Sequence, residues 1–177
     1  LTIDADALNS NSLTLSGDAD IAVDELSSTL DASALSGELD VNSELNSTLT
    51  ATLGTGNTTV TGAVGSSLTL EAGNLSGDGI VNADTSAELI LDGGGVMTVN
   101  AITSDIDASA YAGTLTINTG GVAGSESNPV MDIITGSGNT TVSGDDSVAN
   151  NTDDLDITVD GSNLAGTANT LTLTGDA

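Results

Sequence analysis

Closely spaced carboxylates are the residues of this sequence that could do chemistry. They occur in five short stretches, at Asp4 and Asp6, at Asp18 and Asp20, at Asp105 and Asp107, at Asp145 and Asp146, and at Asp153, Asp154 and Asp156. Calcium binds six to eight oxygen atoms, and an Asp-x-Asp spacing places two carboxylates on one side of a strand or turn. We therefore predict these aspartates as metal ligands and Ca²⁺ as the cofactor. The alternative is that they are solvated acids that keep a surface soluble.

The residue types that are missing exclude most catalytic chemistry. The chain has no His, Cys, Lys or Arg, so it cannot build a Ser–His or Cys–His nucleophile or a zinc site that contains histidine. Paired carboxylates also serve glycosidases, but here they have no basic partner. Tyr111 is the only aromatic residue, and we expect it to lie in the core. We therefore expect that the protein is not an enzyme.

The charge of the chain restricts its partners. The sequence contains 26 acidic residues and has a formal charge of −26. Nucleic acids and anionic membranes are recognised through Lys and Arg, so neither is an expected partner. Two carboxylates stacked about 4.8 Å apart repel each other by about 0.9 kcal/mol even in bulk water. Cations are the natural ligands of such a chain.

Alternation of apolar and polar residues with a period of two dominates the sequence. Such alternation predicts short strands. Clusters of Gly, Asn, Asp and Ser separate the alternating runs and indicate turns. No window has the period and caps of an amphipathic helix, so we expect few helices. The predicted strands fall within 13–23, 47–52, 58–62, 67–72, 87–92, 96–101, 114–118, 154–160 and 170–175.

A short acidic motif recurs at irregular intervals. It consists of an apolar residue, an acid, a small residue, any residue, a small residue or Asn, and then Leu or Tyr. Its acids are Asp4, Asp31, Glu71, Asp107 and Asp160. In four copies a glycine follows two residues after the Leu or Tyr, at Gly37, Gly77, Gly113 and Gly166. We interpret the unit as a strand, an acidic corner, an inward Leu or Tyr, a Gly turn and another strand.

These observations predict an all-β fold, a β-solenoid of stacked, parallel β-helix-like coils with variable loops. Small aliphatic side chains suit the thin interior of such a stack. Residues 1–177 would form a single repetitive domain or a segment of a longer repetitive protein. One or two antiparallel β-sandwiches are the alternative.

Two glycine-rich stretches carry a resemblance to a known group. GTGNTTVTG at 54–62 and GSGNTTVSG at 136–144, together with the DASAL corners, resemble the repeats of type I secreted RTX-type adhesins and calcium-dependent bacterial surface-layer proteins. The resemblance implies a calcium-binding structural protein. Thr58 and Thr140 stand where the RTX nonapeptide has its ligand Asp, so these two turns lack that ligand.

We therefore expect an extracellular scaffold at the cell surface, a self-assembling layer, filament or adhesin extender stabilised by calcium. Copies would form a homo-oligomer through strand edges or end coils. The alternative is an ice-binding or carbohydrate-binding module, and the scarcity of aromatic residues argues against sugar. Thr-x-Thr pairs favour ice binding, but their uneven spacing predicts that they do not form a continuous array. They are Thr48, Thr50 and Thr52, Thr59 and Thr61, Thr114 and Thr116, and Thr170, Thr172 and Thr174.

Overall fold

The computed structural model describes residues 1–8, 11–83, 88–120, 130–144, 156–164 and 169–175. Within these ranges the chain forms seventeen strands and one 3₁₀ turn, Asp6–Leu8. Every strand pairing between described residues is parallel. The predicted β-solenoid is confirmed, and the antiparallel sandwich is excluded. The same ranges contain no helix that is long and apolar enough to cross a bilayer.

Successive strands alternate between two sheets, so each coil contributes one strand to each sheet. The odd sheet contains β1 Thr2–Asp4, β3 Ile21–Leu26, β5 Leu39–Ser43, β7 Thr58–Thr61, β9 Asp78–Asn82, β11 Val96–Ile102, β13 Thr114–Thr119, β15 Thr140–Ser143 and β17 Leu171–Thr174. The even sheet contains β2 Leu13–Gly17, β4 Thr29–Leu35, β6 Thr48–Thr52, β8 Ser67–Glu71, β10 Glu88–Gly93, β12 Asp105–Tyr111, β14 Val130–Ile134 and β16 Asp156–Asp160.

Two columns of aliphatic side chains form much of the core. In the odd sheet the column is β-branched, and its buried members are Val23, Val41, Val60, Val81, Val99, Ile117 and Val142. In the even sheet the corresponding buried column is Leu49, Leu68, Leu89, Ile106 and Ile133. β-Branched residues fit the pleated surface of a strand. Both columns belong to one continuous apolar cluster, which joins the two sheets.

Coil length varies while the register of the strands is kept. Hydrogen-bonded residues of neighbouring coils are 18 positions apart at Asp24 and Asn42, and 31 apart at Asn139 and Thr170. Pairing nevertheless places apolar positions over apolar positions in both sheets. A register shift of one residue would move all the buried side chains of a strand to the solvent side. The alternating pattern therefore fixes the register, and the extra residues fall between the strands.

Candidate functional site

Two copies of the acidic motif are β-bulges. In β4 the segment between Asp31 and Ala34 faces the shorter segment between Thr14 and Ser16, and β12 has the same irregularity after Asp107. We predicted a corner between two strands, and this was wrong for these copies, because the motif lies inside one strand. A bulge adds a residue to one strand and bends it. The motif therefore turns the chain without ending the strand.

Hydrogen bonds from serine to aspartate close these bulges. The Oδ1 atom of Asp31 accepts the backbone N–H of Ser33 at 3.1 Å and its hydroxyl at 2.6 Å. Asp107 accepts the backbone N–H of Ser109 at 2.9 Å. The other three copies end their strands in turns, and in each turn the N–H of the motif Leu donates to a carbonyl three residues earlier. These bonds run from Leu8 to Ala5, from Leu75 to Ala72 and from Leu164 to Gly161.

The same bonds change the acidity of three motif carboxylates. The hydroxyl and then the backbone N–H of Ser33 lower the pKa of Asp31, and Ser109 lowers the pKa of Asp107 in the same way. The backbone N–H and then the hydroxyl of Ser162 lower the pKa of Asp160. Hydrogen bonds to a carboxylate favour its charged form. The charged carboxylates of Asp31, Asp107 and Asp160 therefore stabilise the local backbone conformation.

In four copies the last residue of the motif lies in the core or packs against it, as predicted. Leu35, Leu75 and Tyr111 are buried, whereas Leu8 and Leu164 in the outer coils are partly buried. The Tyr111 hydroxyl is buried without a hydrogen-bond partner among the described residues. Burial raises the pKa of Tyr111 to about 12. Tyr111 is therefore a core side chain.

A second set of hydrogen bonds connects one coil to the next. The residue directly before some odd-sheet strands accepts the backbone N–H of its counterpart in the following coil through its Oδ1 atom. The distance is 3.0 Å from Asp20 to Glu38, from Asn57 to Asp78 and from Asn139 to Thr170. We predicted Asp20 as a calcium ligand and did not predict this role. The shared signal was Asp or Asn directly before an alternating run.

The two Gly-x-Gly-Asn turns pack directly on the preceding coil. A Cβ atom at Gly54 would overlap the carbonyl oxygen of Leu35, and a Cβ atom at Gly136 would overlap that of Tyr111. Both carbonyls belong to the last residue of an acidic motif. These glycines are required because the backbones of successive coils approach too closely for a side chain.

The predicted metal ligands lie in several separate places. Asp105 and Asp107 lie two positions apart on the outer side of β12, as the Asp-x-Asp spacing predicted, and Asp18 and Asp20 are exposed before β3. Asp4 accepts the N–H of Asp6 at 3.2 Å. Asp145, Asp146, Asp153 and Asp154 lie outside the described residues, as does the side chain of Asp156. Among the described residues no group of three or more acids is arranged to hold a metal ion.

Acids of neighbouring coils do come together in pairs. The strand registers place Glu88 opposite Asp105, Asp92 opposite Glu71, and Asp4 opposite Asp24. Elsewhere a neutral residue separates the carboxylates: Thr52 lies between Asp31 and Glu71, and its hydroxyl donates to Glu71 at 3.2 Å. We call the outward carboxylates of β8 to β14 the acidic face. Its members are Glu71, Glu88, Asp92, Asp105, Asp107 and Asp132.

The odd sheet presents a different outer surface, with two uncharged columns in register across six strands. We call them the hydroxyl-amide face. The first column is Thr59, Ile80, Thr98, Thr116, Thr141 and Thr172. The second is Thr61, Asn82, Asn100, Asn118, Ser143 and Thr174. Most of these side chains are half-buried by their neighbours in the column. As expected, the Thr-x-Thr pairs do not stack on one another: Ile80 and Asn82 lie beside Thr59 and Thr61, and Thr48, Thr50 and Thr52 lie in the even sheet.

Side-chain hydrogen bonds run along the second column. Asn118 donates to Asn100 at 2.9 Å, and Asn100 donates to Asn82 at 3.4 Å. At the end of the column, Thr174 donates to Ser143 at 2.9 Å; outside the column, Asn42 of β5 donates to the carboxylate of Asp24 in β3 at 2.7 Å. Ladders of identical amides stabilise parallel in-register strands. Within the second column, side-chain bonds thus connect coils without using charge.

No protein-family model, curated protein or solved structure matches this chain.

Proposed function

We propose that this protein is a structural module of an extracellular scaffold, part of a cell-surface layer, a filament or an adhesin extender. The observation that carries the proposal is the continuous stack, in which parallel strands and one apolar cluster extend from the first coil to the last described coil. Each coil of a solenoid contacts its neighbours, so such a stack is stiff along its axis. The resemblance of the acidic motifs to repeats of secreted surface proteins supports the same role.

Calcium binding between coils is the second part of the proposal. The support is the pairing of acids one coil apart, as at Glu88 and Asp105 and at Asp4 and Asp24. The chain has no Lys or Arg to neutralise such a pair. A Ca²⁺ ion that bridges the two carboxylates replaces their repulsion with attraction, and its remaining ligands are carbonyls and water.

Copies of the chain would associate through their end coils. Among the described residues β17 is the last strand of the odd sheet, and Leu173 on it continues the column above Val142. Leu173 is 61% exposed, whereas Val142 is 3% exposed. An open strand edge with an apolar residue on its core side can pair with another strand. The partner would be the end coil of another copy or of the next domain.

Thermal melts and negative-stain microscopy test both parts. We expect 1 mM Ca²⁺ to raise the melting temperature by several degrees and to promote filaments or lattices, with a smaller effect of Mg²⁺ because Mg²⁺ retains its water ligands. An unchanged melt in chelator would contradict calcium stabilisation. Isolated monomers under both conditions would contradict assembly.

A matched pair of variants locates the contact. Leu173→Asp puts a charge on the open edge, and Leu45→Asp puts the same charge on a turn where Leu45 is 62% exposed. We expect only Leu173→Asp to abolish assembly. If both variants assemble like the wild type, the contact is not at the end coil.

A further inference from the structure

The hydroxyl-amide face is an uncharged region on a strongly anionic molecule. None of its twelve side chains is a carboxylate, although the chain carries 26 acids. Carboxylates appear at its borders, at Asp78 in β9 and at Asp24 and Asp40 in β3 and β5. Two adjacent columns without charge across six strands, with carboxylates only at their borders, fit a ligand that is itself uncharged and extended.

The side chains on this face form a lattice with two repeat distances. Neighbouring strands are about 4.8 Å apart, and alternate residues of one strand are about 6.7 Å apart. The pairs Thr98 and Asn100, Thr116 and Asn118, Thr141 and Ser143, and Thr172 and Thr174 repeat this unit in β11 to β17. A ligand with a periodic surface on the same scale would contact many of these groups at once.

Threonine is suited to hold ordered water in such a lattice. Its branched Cβ restricts χ1, so little rotamer freedom remains to be lost on binding. Its hydroxyl both donates and accepts hydrogen bonds. Water bound between two such groups is held nearly as well as by a direct hydrogen bond.

Polysaccharide fits the face less well than ordered water does. The only aromatic side chain of the chain, Tyr111, is 1% exposed and belongs to the core. The face therefore offers sugar rings no aromatic surface on which to stack. Its exposed apolar groups are aliphatic: Ile80 within the face and Val96 beside it are 39% and 49% exposed.

We propose that the hydroxyl-amide face binds ice. Its hydroxyls and amides hold water molecules at positions that join the ice lattice, and the weak contacts add because they lie on one rigid sheet. The proposal does not require calcium or assembly. It can therefore be tested independently of the scaffold function.

Thermal hysteresis and partition of the whole chain into growing ice test this site. Thr116→Tyr places a bulky ring at the centre of the face, and Thr50→Tyr places the same ring on an exposed mid-strand position of the even sheet. We expect the wild type and Thr50→Tyr to have hysteresis within about twofold of each other, and Thr116→Tyr to lose at least about fivefold. Circular dichroism melts check that both variants fold. Thr98→Tyr replaces Thr116→Tyr if the latter unfolds.

Three outcomes would overturn the proposal. The first is a wild type without hysteresis or ice partition, and the second is an equal loss in the variants of both sheets. The third is binding to crystalline cellulose or chitin that Thr116→Tyr abolishes, with no binding to ice. That result would assign the face to a polysaccharide.

Discussion

The hydroxyl-amide face and the acidic face belong to the same coils, but they connect one coil to the next by different means. In the odd sheet, partly buried side chains bond to each other, as Asn118 does to Asn100. In the even sheet, an exposed carboxylate accepts a backbone N–H group of the next coil, as Asp105 does from Asp132 at 2.9 Å. Burying an unpaired charge is costly, and an amide that bonds to the next amide avoids this cost. The comparison shows how a chain of charge −26 stacks: carboxylates occupy positions that water reaches, and the twelve positions of the hydroxyl-amide face are neutral.

The largest expected effect on the free energy of unfolding comes from a substitution in the Gly-x-Gly-Asn turn that connects the even sheet to the odd sheet. Gly54→Ala would place a Cβ atom against the backbone oxygens of Leu35 and Ala32 in the preceding coil. Because backbone must move to relieve this overlap, we expect a loss of about 3 kcal/mol in the free energy of unfolding. Chemical denaturation measures it. Gly73→Ala is the matched control, since its Cβ would meet no atom within 4 Å, and an equal loss in both variants would contradict the packing argument.

A pair of isosteric exchanges tests the difference between the faces directly. Asn100→Asp removes the donor to Asn82 and puts a charge into the ladder, so we expect a loss of about 1–2 kcal/mol. Asp105→Asn keeps the Oδ1 acceptor for Asp132 and removes the repulsion with Glu88. We expect a gain of up to about 1 kcal/mol at low salt, which 1 M NaCl screens away. If both exchanges shift the urea midpoint in the same direction, the two faces do not differ in the way we describe.

The faces also differ in how their bulges are stabilised. The even-sheet bulges at Asp31 and Asp107 are closed by serine, whereas the odd-sheet bulges contain Glu25 at φ 57° and Ala101 at φ 54°. A left-handed conformation costs a residue with a Cβ about 1 kcal/mol. Ala101→Gly should therefore stabilise the protein by about that amount in thermal melts. Ala110→Gly, on the exposed side of β12, should instead destabilise it by about 0.5–1 kcal/mol. If both variants raise the melting temperature, the backbone of Ala101 is not strained.

The sequence predicts the stack well because alternation and close-packed turns are local signals. The alternating runs and the Gly-x-Gly-Asn turns identify strands and corners without any knowledge of their neighbours. The lateral partners of a residue cannot be identified in this way, because paired residues of neighbouring coils are between 17 and 31 positions apart and the extra residues fall between strands. Residues that recur at equal intervals in the sequence therefore need not lie opposite each other in neighbouring coils. For this reason the two uncharged columns of the odd sheet, which combine Thr with Asn, Ser and Ile80, were not predicted.

The same limit applies to the carboxylates. An Asp-x-Asp pattern shows that Asp105 and Asp107 share a side of one strand, but it does not show that Glu88 lies opposite Asp105 in the next coil. It also does not separate a free carboxylate from one that holds a backbone N–H, as Asp20 does. Roles of this kind depend on register, and register is set by the buried alternation of both strands.

The smallest expected effect is a change of pKa at one bulge of the even sheet. Because the Ser33 hydroxyl is the main cause of the lowered pKa of Asp31, Ser33→Ala should raise that pKa, but only part of the way, since the backbone N–H still donates. With a depressed folded pKa, the bonds of Asp31 contribute fully above the ordinary pKa of Asp and are lost as the pH falls through the lowered value. NMR titration of the carboxyl carbons measures the shift. Ser109→Ala should move the pKa of Asp107 and leave that of Asp31 unchanged, and a response of both carboxyls to either variant would mean that the two bulges are not independent.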